Sequence, residues 1–324
     1  MLPTIVPRRY PELSSYAMEF GNPEFIGDKI FPIIESETKD IRYGRLDKLN
    51  LFQNIDDTIA KDGEANEVGF GADLDYRMMH NYALKTTISR EDTADGEQFL
   101  NVAMDQTAVM KAALGLRREV RQSGLLYQKL VAASRNTDNT SAHWSDYSGS
   151  APDIVKQIRD LRNNALYPYT DLVIPKQVYI YLERAPSLLN QWYSGNTGTK
   201  ILSKKEIGDT LGFDESKIHI PDGRLTTVRR PTAFTADMSS LSRIWGNHVF
   251  LMRVSPTVPN RSEPGCAYQF RRRWNKGVVG DNMQVRAWYL PNKGLGGADV
   301  VQQEYQALDV VLSTEMGYVL QNCV

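Results

Sequence analysis

A long run of apolar residues at helical spacing is the feature that most constrains the fold of this 324-residue sequence. Between residues 97 and 131 apolar side chains recur every three or four positions, which predicts one amphipathic helix. At about 1.5 Å per residue, this helix is roughly 50 Å long. We expect Gly115 and Gly124 to weaken or bend it, and the polar run 134–141 to end it as a loop. The apolar positions are Phe99, Val102, Ala103, Val109, Met110, Ala113, Leu116, Val120, Tyr127, Leu130 and Val131.

The first 42 residues alternate between prolines and aromatic residues. Proline interrupts helices, so this spacing predicts an extended arm. A disordered tail is normally poor in aromatic residues. We therefore expect the arm to rest on its own subunit or on a neighbour. The residues concerned are Pro3, Pro7, Pro11, Pro23 and Pro32, with Tyr10, Tyr16, Phe20, Phe25 and Phe31 between and around them.

The next segment has strand character. Residues 41–52 and 74–89 are rich in strand-forming residues, and the polar, turn-rich stretch 54–71 connects them. Two strands with a connection of this length predict a protruding hairpin. Because an isolated two-stranded ribbon is only marginally stable in water, the hairpin should rest on something else.

After the long helix, the sequence predicts short helices first and then mostly strands. This separation of helices from strands, without a regular strand–helix–strand series, predicts an α+β protein. The expected helices are 153–164, 177–189 and 204–211, and the expected strands are 170–175, 217–220, 283–290 and 300–311, with residues 243–254 forming strands around a glycine turn.

Charge is distributed unevenly, although the formal net charge is only −1. Residues 1–100 carry 11 basic and 19 acidic side chains, whereas residues 224–293 carry 12 basic and 3 acidic ones. Such asymmetry suits identical subunits that overlap head to tail, because unlike surfaces then meet at each contact. The alternative is that both sets of charges simply face water.

Motifs for catalysis, cofactor binding or metal binding are not evident. The four histidines lack metal-ligand spacing, and Cys266 and Cys323 have no second cysteine or nearby histidine to complete a site. No apolar run approaches the ~18 residues that a membrane span needs. The sequence therefore predicts a soluble, non-enzymatic protein without cofactor, metal or membrane.

The sharpest basic cluster is Arg271-Arg-Arg-Trp274 with Lys276. Arginine and tryptophan are enriched at interface anchors, which favours a subunit contact. A solvated surface and a nucleic-acid contact remain the alternatives. Because the whole chain has no basic excess, strong binding to DNA through counterion release is not expected.

The order of these elements, with several short motifs, resembles the major capsid proteins of tailed bacteriophages, which have the Hong Kong 97-type fold. The resemblance spans about residues 25 to 320. The motifs are residues 28–32 (DKIFP), 43–45 (YGR), 88–92 (ISRED), 117–119 (RRE), 152–154 (PDI), 172–175 (LVIP) with Leu182, and 244–247 (IWGN).

This resemblance implies a particular division of the chain. The expected parts are an N-terminal arm (1–42), an E-loop hairpin (43–90), and a spine helix with the peripheral domain (91–150). An axial domain (151–255) follows, and residues 256–324 return as strands of both domains.

The resemblance also implies the function. We expect self-assembly into hexamers and pentamers of an icosahedral or prolate shell around double-stranded DNA, in a virion assembled in the host bacterial cytoplasm. Expected partners are a separate scaffolding protein, a portal and decoration proteins, with weak DNA contacts at the inner surface. The alternative is an encapsulin-like shell that encloses cargo enzymes. Candidates for contacts between subunits are Phe25, Phe31, Phe52, Ile55, Ile59, Phe70, Arg271, Arg272, Arg273 and Trp274.

Overall fold

A computed structural model describes most of the chain. Several sequence expectations, including the tip of the hairpin and most of the arm, lie outside its described residues. Within the described ranges, no helix combines the length and the apolar character needed to cross a membrane. The described residues are 8–9, 25–46, 72–89, 99–148, 152–193, 200–226, 241–256, 265–274, 283–293 and 296–324.

Helices and strands occur in the order expected for an α+β protein. The helices are α1 (Gly27–Ile30), α2 (Phe99–Ala132), α3 (Ile154–Asn163), α4 (Lys176–Leu182), α5 (Pro186–Trp192) and α6 (Lys204–Leu211). The strands are β1 (Arg8–Arg9), β2 (Ile33–Ser36), β3 (Asp40–Leu46), β4 (Ala72–Met78), β5 (His80–Ser89), β6 (Asn136–Asp138), β7 (Asp171–Val173), β8 (Ile218–His219), β9 (Arg224–Thr226), β10 (Leu241–Arg243), β11 (Val249–Met252), β12 (Ala267–Arg272), β13 (Gln284–Leu290), β14 (Ala298–Val311) and β15 (Gly317–Gln321).

The long helix is confirmed as one uninterrupted element, α2, with 34 residues. Its first half packs against β5 and β14, where Ala103, Met110 and Leu114 meet Val301 and Tyr305. Its second half packs on a different core through Leu126 and Leu130. The glycines at 115 and 124 therefore do not end the helix, because tertiary packing holds it on both sides of them.

A six-stranded sheet forms the layer beneath the first half of α2. Its order is β1-β13-β14-β12-β2, and β5 pairs with the central strand β14 as well. Side chains alternate across β14, so Val301 and Tyr305 face α2 while Leu308 and Val310 face a separate cluster with Tyr268 and other residues. The sheet is therefore covered by the helix on one face along part of its length.

A five-stranded sheet, in the order β6-β15-β11-β7-β8, forms the second layer. Helices α3 to α6 cover it, and the largest apolar cluster lies between them. The local sequence explains where these helices begin. Asp153 accepts a hydrogen bond from the Lys156 amide at the start of α3, and Ser203 forms a capping box with Glu206 at the start of α6.

The hairpin expected from the sequence is present at its base, where β3 and β4 pair antiparallel from Asp40↔Met78 to Leu46↔Ala72. One face of this base packs on the subunit. Ile41 and Tyr43 are buried, and the Tyr43 ring stacks on Phe270 with ring centroids 6.2 Å apart. The hairpin is therefore anchored in the subunit core at its root.

Two local expectations were wrong. The helix expected over 177–189 is broken into α4 and α5, because Pro186 starts a new helix at its first position. The loop expected over 134–141 contains β6, which pairs in parallel with β15. The polar side chains that suggested a loop are used in this pairing, since Asn136 donates to the Gln321 side chain and the Thr137 hydroxyl lies 2.7 Å from the Tyr318 hydroxyl.

Candidate subunit-contact surfaces

The end of the arm is held to the long helix by a buried carboxylate, Glu119. This carboxylate accepts hydrogen bonds from the backbone amides of Ile26 (3.1 Å) and Gly27 (2.7 Å) and from the indole N–H of Trp245 (2.7 Å). Only 1% of the residue is exposed. Burial raises the pKa of Glu119, and the three hydrogen bonds oppose this rise. We call this arrangement the arm clasp, because it joins the arm, α2 and the segment before β11.

An ion-pair network beside the arm clasp fastens the same part of the arm to the six-stranded sheet. Asp28 accepts from Arg118 at 2.7 Å and from Arg271 at 2.9 Å. Arg271 also donates to Gln269 at 2.6 Å. Burial and, to a smaller extent, the neighbouring Arg118 lower the pKa of Arg271 to about 10, although Asp28 acts to raise it. The segment around residue 28 is therefore held both to α2 and to the six-stranded sheet.

The basic cluster at 271–274 is divided between two faces of the sheet. Arg271 faces α2 and is buried, whereas Arg272 lies on the other face, where it bonds to Gln306 and stacks over Trp274. Arg273 donates two hydrogen bonds to Glu35 at the sheet edge. Each of the three arginines thus makes at least one hydrogen bond within the subunit.

The root of the hairpin presents a different kind of surface on its outer side. Tyr76 and Met78 lie two residues apart on β4, and both side chains lie on the face opposite to the one that carries Ile41 and Tyr43. They are 55% and 53% exposed, and the Arg42 guanidinium lies 5.8 Å from the Tyr76 ring. Large exposed apolar side chains beside a cation are typical of interface anchors. We call Arg42, Tyr76 and Met78 the hairpin-root surface.

A groove of about 590 Å³ adjoins the hairpin-root surface. It runs between β2, which is an edge strand of the six-stranded sheet, and the base of the hairpin. An edge strand offers unpaired backbone groups, so a groove beside one can accept an extended segment. The lining residues are Ile34, Glu35, Ser36, Thr38, Asp40, Ile41, Arg42, Tyr76 and Phe270.

The helical layer of the second sheet also exposes apolar side chains. Ile180 on α4, Trp192 on α5 and Ile201 before α6 are each more than two-fifths exposed. Trp192 keeps its indole N–H bonded to Thr210 at 2.6 Å, so its exposed ring is held in one orientation. Such a rigid aromatic ring loses little conformational entropy when it is covered by a partner.

The sequence-based contact candidates occupy three kinds of position. Phe31 and Arg271 are buried inside the subunit, so neither has side-chain surface left for a neighbour. Phe25 is half-buried, and its ring lies against the backbone of Gly115 and Gly223. Arg272, Arg273 and Trp274 are half-buried at the sheet. Phe52, Ile55, Ile59 and Phe70 lie outside the described residues.

Sequence reasoning missed Tyr76 and Met78. The signal that could have found them is the alternation in residues 72–78, where every second residue is apolar or aromatic and the residues between are charged, so that one face of the predicted strand is apolar. A hairpin strand that faces water on one side normally carries polar residues there.

Sites for chemistry are not found among the described residues. In that part of the chain, no group of three or more histidine, cysteine, aspartate or glutamate residues could hold a metal ion. Cys266 and Cys323 are both buried, and neither forms a disulfide. Burial raises the pKa of Cys323 to about 12, which keeps its thiol protonated and unreactive near neutral pH.

The fold thus combines a long helix on a mostly antiparallel sheet, the root of a hairpin beside that sheet, and a second mixed sheet covered by short helices. No protein-family model and no curated protein sequence matches the chain. Solved structures do match it. A phage-related protein from Bordetella bronchiseptica is 15% identical, with a TM-score of 0.69, and the match covers 98% of each chain.

Two further matches extend this comparison to assembled shells. The capsid structure of cyanophage P-SCSP1u is 11% identical with a TM-score of 0.56, over 92% of this chain and 88% of that one. The holo-SrpI encapsulin complex of Synechococcus elongatus is 11% identical with a TM-score of 0.52, over 93% and 88%. At these identities the similarity establishes the fold. The Hong Kong 97-type α+β fold expected from the sequence is confirmed.

Proposed function

We propose that this protein is the major capsid protein of a tailed bacteriophage, which self-assembles into the hexamers and pentamers of a shell around double-stranded DNA. The observation that carries the proposal is the hairpin. Its inner face is anchored by Ile41 and Tyr43, and its outer face exposes Tyr76 and Met78 in a chain with the capsid fold. An exposed apolar face on a projecting ribbon is unfavourable in a protein that works alone, and a neighbouring subunit would bury it.

The regions of the chain have distinct roles in this proposal. The six-stranded sheet and α2 form the peripheral part of the subunit, and the five-stranded sheet with α3 to α6 forms the axial part at the capsomer centre. The hairpin reaches over neighbours, and so does the arm outside the parts that pair with β13 or are held to α2 in its own subunit. The domain divisions at residues 42, 90, 150 and 255 follow this assignment.

The contacts between subunits combine apolar anchors with charge. The hairpin-root surface and Trp192 supply exposed aromatic rings. The acidic residues 1–100 of one copy face the basic segment 224–293 of the next, with Arg272, Arg273 and Trp274 among the contact residues. Phe25, Phe52, Ile55, Ile59 and Phe70 supply apolar contacts from the arm and the hairpin.

The partners in this proposal are other copies of the chain and the components of a phage head. A separate scaffolding protein, a portal and decoration proteins would bind the shell, which is assembled in the host cytoplasm. Packaged DNA would meet the inner surface through weak contacts. The role of the chain is structural, as it is for the capsid and shell proteins whose fold it shares.

Negative-stain electron microscopy of the purified protein tests the proposal directly. We expect capsomers or closed shells. A stable monomer in which amide exchange shows residues 1–90 to be ordered without a partner would contradict the assembly argument.

Deleting residues 54–70 gives a second test. We expect this variant to lose shell formation and to keep the thermal transition of the subunit, because the base of the hairpin is anchored below the deletion. The undeleted protein, assembled under the same conditions, is the control. If the thermal transition is lost as well, the segment belongs to the core of the subunit and not to a contact between subunits.

An encapsulin-like shell that encloses cargo enzymes is the second candidate, because an encapsulin shares the fold over most of the chain. The genes beside the coding sequence distinguish the two functions. Terminase and portal genes would favour the phage head, and a neighbouring cargo enzyme would favour the encapsulin.

A further inference from the structure

The side-chain oxygen of Gln122 is a buried acceptor beside the arm clasp. Gln122 is fully buried, and none of the residues that the structure describes donates a hydrogen bond to its Oε1 atom. A Cβ atom added at Gly27 would overlap this oxygen and would lie 2.6 Å from Glu119 Oε2, so both oxygens border the same point. Because a buried acceptor without a donor is unfavourable, its position next to a carboxyl group has to be explained.

The orientation of the Gln122 amide is set from its other side. Its Nε2 atom donates to Asp309 Oδ1 at 3.0 Å, and the buried Asp309 carboxylate is also ion-paired with Arg121. Turning the amide over would bring its oxygen against this carboxylate and would exchange an attractive contact for a repulsive one. The oxygen of Gln122 therefore faces the arm clasp, where it meets Glu119.

Glu119 supplies the missing donor if it carries a proton. Its oxygens already accept from three neutral groups, the amides of Ile26 and Gly27 and the indole of Trp245, which leave the charge of an ionised carboxylate uncompensated. A neutral carboxyl group still accepts these three hydrogen bonds and adds one donor for the Gln122 oxygen. An ionised carboxylate would instead turn an electron-rich oxygen toward another one.

The charges around the arm clasp do not offset the burial of an ionised Glu119. Burial raises the pKa of Glu119, and this effect exceeds the opposing effects of its three hydrogen bonds and of Arg118. Lys29 and Arg117, on the helices that meet at the clasp, are exposed to solvent. Further charged side chains on the surrounding elements pair with one another, namely Arg118 and Arg271 with Asp28, Arg121 with Asp309, and Arg243 with Asp222.

We infer that the arm clasp is a latch controlled by one proton. In the closed form Glu119 is a neutral acid, whose hydroxyl group donates to Gln122 Oε1 while its oxygens accept from the amides of Ile26 and Gly27. When the pH rises, the proton passes to water, the carboxylate and the Gln122 oxygen repel each other, and the segment at Ile26 and Gly27 opens so that water reaches the charge. All of these contacts lie within one subunit, so the inference goes beyond the proposed shell function and does not depend on it.

Infrared spectroscopy of the full chain tests whether Glu119 carries the proton. The carbonyl stretch of a neutral carboxyl group is followed between about pH 4 and about pH 8, as the difference between the parent and Glu119→Gln. We expect this band to disappear with a midpoint above 4.5, the ordinary value for glutamate. A midpoint at or below 4.5 would overturn the inference.

Two matched variants test the role of Gln122 as the proton's acceptor. Gln122→Met and Gln269→Met each remove a hydrogen bond to Asp309 Oδ1, but only Gln122→Met removes the acceptor beside Glu119. We expect Gln122→Met to weaken proton binding by Glu119 roughly threefold to tenfold and Gln269→Met to leave it unchanged. Unchanged proton binding in Gln122→Met, or equal weakening in both variants, would contradict this role.

Amide exchange measures the opening of the latch and needs neither methionine variant. In the parent, the protection of the Ile26 and Gly27 amides, corrected for the intrinsic pH dependence of exchange, should fall above the infrared midpoint by up to about tenfold for each pH unit. Glu119→Gln keeps a donor for Gln122 and has no proton to lose, so its protection should stay constant. Constant protection in the parent, or an equal fall in both proteins, would overturn the inference.

Discussion

Glu119 shows how one buried side chain can join three parts of this subunit. Its hydrogen-bond donors are the arm amides of Ile26 and Gly27 and the Trp245 indole, all of which are neutral. Neutral donors offset only part of the cost of burying a carboxylate, and for this reason its pKa is raised. The folded protein therefore holds a proton on Glu119 more readily than the unfolded chain does.

The pH dependence of stability follows from this shift. Glu119 adds to the free energy of unfolding below its ordinary pKa of 4.5, and this contribution is lost as the pH rises through the raised pKa. Glu119→Gln removes the titration. We expect the difference in unfolding free energy, parent minus variant, to be larger near pH 5 than near pH 7.5 in urea titrations. A difference that grows with rising pH would mean that the arm clasp stabilises the ionised carboxylate.

Arg271 is the basic residue whose loss should affect folding most clearly among those at 271–274. Arg271→Ala removes a buried cation from Asp28 and leaves Gln269 without its donor. We expect the free energy of unfolding to fall by about 2–3 kcal/mol, with the estimate reduced because Asp28 is partly exposed. Arg77→Ala breaks an ion pair with Asp75 in which the arginine is 43% exposed, and should change stability by about 0.5 kcal/mol or less. Urea denaturation of both variants checks this, and equal effects would contradict it.

At the scale of the element, the glycines of α2 give a matched pair. A methyl group added at Gly124 meets nothing within 4 Å, whereas one added at Gly115 lies 3.2 Å from the Phe25 ring. Alanine favours the helical backbone by about 0.5–1 kcal/mol relative to glycine. We therefore expect Gly124→Ala to raise the melting temperature and Gly115→Ala to raise it less or to lower it. Calorimetry measures both, and a larger gain at residue 115 would mean that Phe25 is not held against the helix.

Periodic patterns made most of the helices predictable. The spacing of apolar residues located α2 to within two residues at its start, and residues 204–211 were predicted with the bounds of α6. These patterns depend only on positions that are close in sequence. The break between α4 and α5 was missed because apolar periodicity continues across Pro186 and outweighed the proline signal.

Contacts between distant residues were much less predictable. β6 is a strand because β15, about 180 residues later in the chain, pairs with it. Arg271 looked like a surface residue because its partner Asp28 lies 243 positions away. The position of the hairpin-root surface likewise depends on a distant contact. The face of β3 that carries Tyr43 packs on Phe270, which leaves the other face of the β3–β4 pair exposed, and local sequence does not specify this choice.

At the scale of the whole molecule, the hairpin-root surface should be required for assembly. Tyr76→Glu combined with Met78→Glu places charges on its exposed face and leaves the buried Ile41 and Tyr43 in place. We expect the subunit to keep its thermal transition and to lose shell formation, because burying two unpaired carboxylates at a contact is strongly unfavourable.

Val109→Glu is a suitable control, since it also puts a carboxylate in place of an exposed apolar residue and lies outside the hairpin. In the absence of other proteins this control should assemble like the parent. Particle yield from sedimentation and electron microscopy gives the comparison. Normal shells from the double variant would remove the hairpin-root surface from the set of subunit contacts.

The arrangement of β15 has a consequence for the timing of synthesis. This strand lies between β6 and β11, so the five-stranded sheet that begins at Asn136 cannot be completed before residue 321 has been made. At about 5–20 residues per second, the interval between these two residues takes roughly 10–40 s of translation. During that interval the nascent chain lacks the finished surface that a neighbour would recognise. In the proposed shell, a nascent chain shorter than this could not yet offer the completed five-stranded sheet to a neighbour.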